Sequence, residues 1–88
     1  MLHFHYSLHA VLWDAEGYHV DTRDFLNFHE AMKAHRRNVQ RQACVLSRLE
    51  TPKSTWLAER MGDGNWSFHV TPVPAWKKDW VQNAFSND

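Results

Sequence analysis

The stretch STWLAERMGDGNWSFHVT, Ser54 to Thr71, reads as two strands joined by a tight turn. Ser54 to Met61 and Asn65 to Thr71 flank Gly62-Asp-Gly-Asn65, where Asp63-Gly64 is expected to supply the positive φ angles of a hairpin turn. Trp66, Phe68 and Val70 alternate with Ser67, His69 and Thr71, so one face of the second strand is apolar. Pro72 and Pro74 should stop the sheet.

The same period of two recurs at the other end of the chain. Phe4, Tyr6, Leu8, Ala10 and Leu12 fall on one face, and His3, His5, Ser7, His9, Val11 and Trp13 on the other. That is the pattern of a half-buried strand. Asp14-Ala-Glu-Gly17 carries turn chemistry, and Tyr18 to Val20 is expected to make a short return strand. Between these sheet segments the period changes. Phe25, Phe28, Met32, His35 and Val39 recur at steps of three and four, one stripe of an amphipathic helix. Asp21 or Thr22 is the expected N-cap, with Asp24 in the first turn and the end near Arg41. A rival reading runs the helix on through Leu46, because Val39, Ala43 and Leu46 keep helical spacing. A strand from Ala43 to Glu50, ended by Thr51-Pro52, fits better beside the hairpin that follows. A last helix is expected from Pro74, with Trp76, Trp80 and Ala84 on one side and Val81 and Phe85 adjacent. The expectation is one α+β domain over 1-88: an antiparallel sheet of about four strands packed by one main helix, in the order β-(β)-α-β-β-β-α.

Composition narrows the function classes. The chain has 88 residues, and a domain of that size buries only about 60–65% of its unfolded surface. Its five Trp, five Phe and two Tyr serve that small core well. Ten basic and ten acidic side chains balance, so no whole-molecule field draws the chain to nucleic acid or to an anionic membrane. Cys44 stands alone, which excludes an internal disulfide and fits a reducing cytoplasm. No signal peptide and no apolar run of about 20 residues is seen.

Three sets of side chains invite a functional reading. His3, His5 and His9 share one strand face, where i and i+2 positions lie about 6.5–7 Å apart. A metal would need a further ligand, for which His69 is the candidate; without a Cys pair or an HExxH pattern, a polar strand face is the plainer account. Lys33, Arg37 and Arg41 are spaced by four along the helix with Arg36 beside them, a row able to hold phosphates or carboxylates. The same cations also suit the helix C-terminus and its wet face. Trp56 and Trp66 flank the hairpin, and either one turned outward would anchor a partner. Catalysis finds no support: Ser7, Ser47, Ser54 and Ser67 lack a nucleophile-elbow context, Cys44 sits in an apolar run, and no glycine loop could cradle a phosphate. Neither an enzyme nor a cofactor is expected.

From Asp24 to Phe68 the order EAMKAHRRN, then ACVLSRLET, then STWLAERMGDGNW resembles small phage-encoded anti-CRISPR proteins that act on type I systems. The likeness rests on a Leu-x-x-Glu-Thr strand end, a Trp-Leu-Ala strand and an acidic glycine turn before a Trp, over about half of the chain. It implies a non-enzymatic inhibitor that binds the multi-subunit RNA-guided surveillance complex in the host cytoplasm. Such binding blocks target DNA hybridisation or nuclease recruitment. The matching positions for basic contacts are Lys33, Arg36, Arg37 and Arg41, with Arg60 and Asp63 at or near the hairpin. Two other readings stand beside it: a small nucleic-acid-binding module using the basic stripe and an exposed Trp, and a His-dependent metal-binding protein.

Overall fold

The computed structural model describes residues 6–73. They form five strands and one helix: β1 Tyr6–Asp14, β2 Gly17–Phe25, α1 Phe28–Gln40, β3 Cys44–Glu50, β4 Ser54–Arg60 and β5 Trp66–Pro72. All neighbouring strands are antiparallel, in the order β2-β1-β3-β4-β5. The α+β class and the single main helix are as expected; the strand count is not. The helix expected from Pro74, with Trp76 and Trp80, and the histidines at positions 3 and 5 lie outside the described residues. Among the described residues no helix is long and apolar enough to cross a membrane.

The largest correction is β2. It is a full partner of β1, paired from Asp14↔Gly17 to Tyr6↔Phe25, and not a short return. It takes residues that helical spacing had assigned to α1, including Asp21, Thr22 and Phe25. Almost every β2 side chain is exposed, so no alternation of apolar and polar residues marks it in the sequence. Cross-strand pairs hold it instead. Ser7 Oγ donates to Asp24 Oδ1 at 2.9 Å, Thr22 Oγ1 lies 3.3 Å from His9 Nδ1, and Trp13 stacks on Tyr18 with ring centroids 5.7 Å apart.

The helix therefore starts later, at Phe28. Asn27 caps it: its Oδ1 accepts from the backbone N–H groups of His29 at 2.7 Å and Glu30 at 3.2 Å. Two of the orphan donors of the first turn are satisfied there, and Glu30 adds negative charge where the helix dipole favours it. Because β1 separates β2 from β3, those two strands run parallel, and the link between them must cross the sheet face. That link is α1.

Crossing there, α1 buries Ala31, Met32, Ala34, His35 and Asn38, a stripe rotated from the expected Phe/Met line. Phe28 is 42% exposed, and Phe25 belongs to β2. Beneath the helix lie Leu8, Ala10 and Leu12 of β1, Cys44, Ser47 and Leu49 of β3, and Ala58 of β4, all buried. Alanines at the contact let the helix backbone approach the sheet. A bulge at Val45, between the pairs Val11↔Leu46 and Leu12↔Cys44, keeps Cys44 on the helix side.

The β4–β5 loop also differs from expectation. Only Gly64, at φ +89°, takes a positive φ, while Asp63 keeps a negative one. Asp63 contributes through its side chain, whose Oδ1 accepts from the Asn65 N–H at 3.0 Å. The β1–β2 turn uses the same device: Gly17 is at φ +108°, and Asp14 Oδ1 accepts from the Glu16 N–H at 2.9 Å.

Candidate interaction surfaces

With one face of α1 committed to the core, Lys33, Arg36 and Arg37 project from its exposed side. Together with Phe28, His29 and Gln40 they line a shallow furrow along the helix. Among the described residues no carboxylate lies within 4 Å of any of the three cations. Lys33 and Arg37 are one turn apart, so their positive charges repel across i and i+4.

Arg41 does not continue this row. It is the C-cap, with extended backbone, and its side chain lines a small pocket with Leu8, Ala10, Asp21, Arg23 and Asn38. Arg60 is tied to the same cap: its Nη2 donates to the Arg41 carbonyl at 3.1 Å, and its guanidinium sits 5.0 Å from the Trp66 ring centroid. Its Nε is buried without a partner. Asp63, at the loop tip, bonds both the N–H and the side-chain amide of Asn65, which hold its carboxyl below the usual carboxylate range.

The two hairpin tryptophans turn inward. Trp56 is half-buried against the Leu8–Leu49 cluster, 6.2 Å from the Phe28 ring, and its indole N–H donates to Ser54 Oγ at 3.0 Å. Trp66 packs on Ala10, Leu12 and Cys44. Among the described residues the exposed aromatics are others: Trp13 at 57%, Tyr18 at 70%, Phe68 at 63% and Phe28 at 42%. Trp13 and Tyr18 lie on the sheet face opposite α1, as their register with Leu12 and Leu8 requires.

A second hollow opens where the helix stops covering the sheet. Its walls are Met32, His35 and Val39 of α1, its floor is Trp56 of β4 with Phe68 and Val70 of β5, and its volume is about 470 Å³. Arg36 lies between this apolar groove and the basic furrow and lines both.

Under the groove sits a buried polar knot, in which His35, placed on the apolar stripe by its spacing, is a hydrogen-bonded core histidine, and Asn38 and Ser47 are the members the sequence did not single out. His35 Nδ1 is 2.8 Å from Ser47 Oγ, and the Asn38 amide donates to the same oxygen at 3.0 Å. Ser47 Oγ thus accepts from Asn38 and bonds His35 Nδ1, joining two helix side chains to β3 through one hydroxyl. Burial, with a smaller push from Arg36, lowers the His35 pKa and keeps the ring neutral. Ser47 is 0% exposed, so the pair joins helix to sheet and offers no nucleophile to a substrate. Burial likewise raises the Cys44 thiol, which donates to the Leu46 carbonyl at 3.3 Å.

Of the four candidate histidines, the two among the described residues, His9 and His69, do not converge. His9 and His69 face the open side of the sheet in one cross-strand row, His9↔Arg48↔Leu57↔His69. Three strand spacings separate them, about 14–15 Å, too far to share an ion. Their neighbours are other: His9 Nε2 lies 3.8 Å from Glu50, and His69 Nε2 lies 2.9 Å from Ser67 Oγ. Among the described residues no group of three His, Cys, Asp or Glu could hold a metal. No family model, no curated protein and no solved structure matches this chain.

Proposed function

We propose that this chain is a non-enzymatic phage or mobile-element inhibitor that works in the bacterial host cytoplasm. It binds a type I CRISPR surveillance complex and blocks DNA target binding or nuclease recruitment. One observation carries the reading: Lys33, Arg36 and Arg37 stand together, exposed and without a carboxylate among the described residues, on a helix pinned to the sheet by the His35–Asn38–Ser47 knot. A rigid platform of this kind gives up little conformational freedom on binding, and its cations suit a partner's carboxylates. The resemblance of residues 24–68 to anti-CRISPR proteins supplies the target class. Arg41 and Arg60 then hold the C-terminal end of the platform, Trp56 supports it from below, and Asp63 and Trp66 stay with the hairpin.

The test is the variant K33E/R36E/R37E in a phage-plating assay on a host with active type I interference, beside co-purification with the surveillance complex. Binding should fall at least about tenfold and protection of the phage should disappear. Unchanged inhibition by a folded variant overturns the assignment to this face.

Phe28, exposed at one end of the furrow, favours direct nucleic-acid binding as a second reading, since its ring could stack on a base beside phosphates held by Lys33 and Arg37. In that case affinity for single-stranded DNA would drop steeply with salt, with a log–log slope of about 0.7 per phosphate contact. A salt-insensitive or absent interaction with DNA leaves the protein-binding reading in place.

A further inference from the structure

Among the described residues β2 is an edge strand, with β1 on one side of it and no strand on the other. Which of its backbone groups point outward follows from β1. The Trp13 N–H donates at 2.8 Å to the carbonyl of Ala43, just before β3, so odd positions of β1 turn their backbone to β3 and even positions to β2. Leu8, Ala10 and Leu12 stand opposite Arg23, Asp21 and His19. Odd positions of β2 are therefore bonded to β1, and Tyr18, Val20, Thr22 and Asp24 hold their N–H and C=O groups outward.

Open edges are ordinarily kept short or interrupted by proline, lysine or a bulge. β2 runs nine residues with none of these, and its pairing with β1 has no register shift. β5, the other edge, runs seven residues and ends at Pro72. The side chains of β2 select what pairs there. Asp21 and Arg23 flank Thr22 symmetrically, both on the helix side of the sheet. Among the described residues neither has an opposite charge within 4 Å.

We infer that β2 pairs antiparallel with β2 of a second copy about a twofold axis at Thr22. In that register Asp21 of each copy faces Arg23 of the other in a non-hydrogen-bonded pair, with Cα atoms about 4.5 Å apart. The outward groups of Val20 meet those of Asp24, and Thr22 meets its own counterpart. Charge selects this register over its neighbours. An axis at Asp21 sets that carboxylate against itself and His19 against Arg23, and an axis at Val20 leaves Arg23 opposite Gly17. Two five-stranded sheets then become one. No β2 residue lines the basic furrow, so each copy keeps its Lys33 and Arg37 open.

Sedimentation equilibrium of the full chain tests the pairing. An edge contact of this size is small, so mass should rise from one copy to two with a midpoint on the order of tens of micromolar. D21R and R23D each set like charges opposite one another and should weaken the dimer about tenfold. D21R/R23D restores the pairs with exchanged signs and should recover it. A chain that stays monomeric up to about 1 mM overturns the inference. So does a dimer indifferent to the single swaps, or one that a folded D21R/R23D chain fails to restore. A second reading needs no change of charge. Thr22 Cα atoms about 5.5 Å apart allow a disulfide between copies, so T22C should cross-link under oxidised glutathione faster than V20C or D21C, with Cys44 buried throughout. Cross-linking of V20C or D21C that matches or exceeds that of T22C puts the axis elsewhere and overturns the inference.

Discussion

On the helix side of the sheet, Leu8 and Leu49 in one half and Phe68 and Val70 in the other occupy equivalent alternating positions. The first pair is 2% and 0% exposed, the second 63% and 54%. Nothing in the strands themselves accounts for that difference. It comes from α1, which crosses over β1 to reach β3 and so covers those two strands, ending its reach near β4. Alternation decides which side of a strand is apolar; the crossover decides which part of that side becomes core.

Truncation on the two halves is the widest test of this comparison. Leu49→Ala opens a cavity in the fully covered half and should cost about 2–5 kcal/mol in urea denaturation. Phe68→Ala removes a larger side chain from the half that α1 leaves bare, yet should cost less. Equal costs would show that both halves are sealed alike.

Next in size is Ser47→Ala. It strands the Asn38 amide and His35 Nδ1 inside the covered half, at a cost of about 1–3 kcal/mol in the same denaturation experiment. The pH dependence follows from the same knot. His35 titrates below its ordinary 6.5 in the folded chain, so between that lowered value and 6.5 the unfolded chain binds more protons. The contribution is fully present above pH 6.5 and is lost as pH falls through the folded pKa. Denaturation midpoints at pH 7.5 and 5.5 should diverge in the natural chain, and His35→Gln should narrow the gap. A gap of the same size in both would exclude His35 as its source.

These elements differ in how far the sequence announces them. β1, β4 and β5 alternate, and Gly64 with Asp63 locates their turn even though only the glycine takes a positive φ. β2 is silent because both of its faces are wet, so exposed Asp21, Thr22 and Phe25 lend themselves to a helical reading. Asn27-x-x-Glu30 was the available signal for the true helix start. Of the core stripe of α1, spacing finds Met32 and His35; Ala31, Ala34 and Asn38 escape an apolar count, and the burial of His35 and Asn38 depends on a serine in another element. For the candidate site, helical spacing groups Lys33, Arg36 and Arg37 correctly. It cannot show that the helix stops at Gln40 and turns Arg41 to the β2 side.

The smallest expected effect on stability separates fold from function most sharply. Lys33→Glu places a carboxylate four residues before Arg37, on the exposed side of α1 and away from the buried knot. It replaces a like-charge pair with the favourable acid-before-base orientation, so stability should rise by about 0.3–0.5 kcal/mol. In the proposed function the same change puts a negative charge into a cationic contact and should weaken partner binding about tenfold. Rising stability with falling binding means that α1 carries mutually repelling cations at the expense of its own helix, which a merely solvated face would have no cause to do. Rising stability with unchanged binding would return Lys33 to ordinary surface and leave Arg36, at the lip of the groove, as the cation to test next.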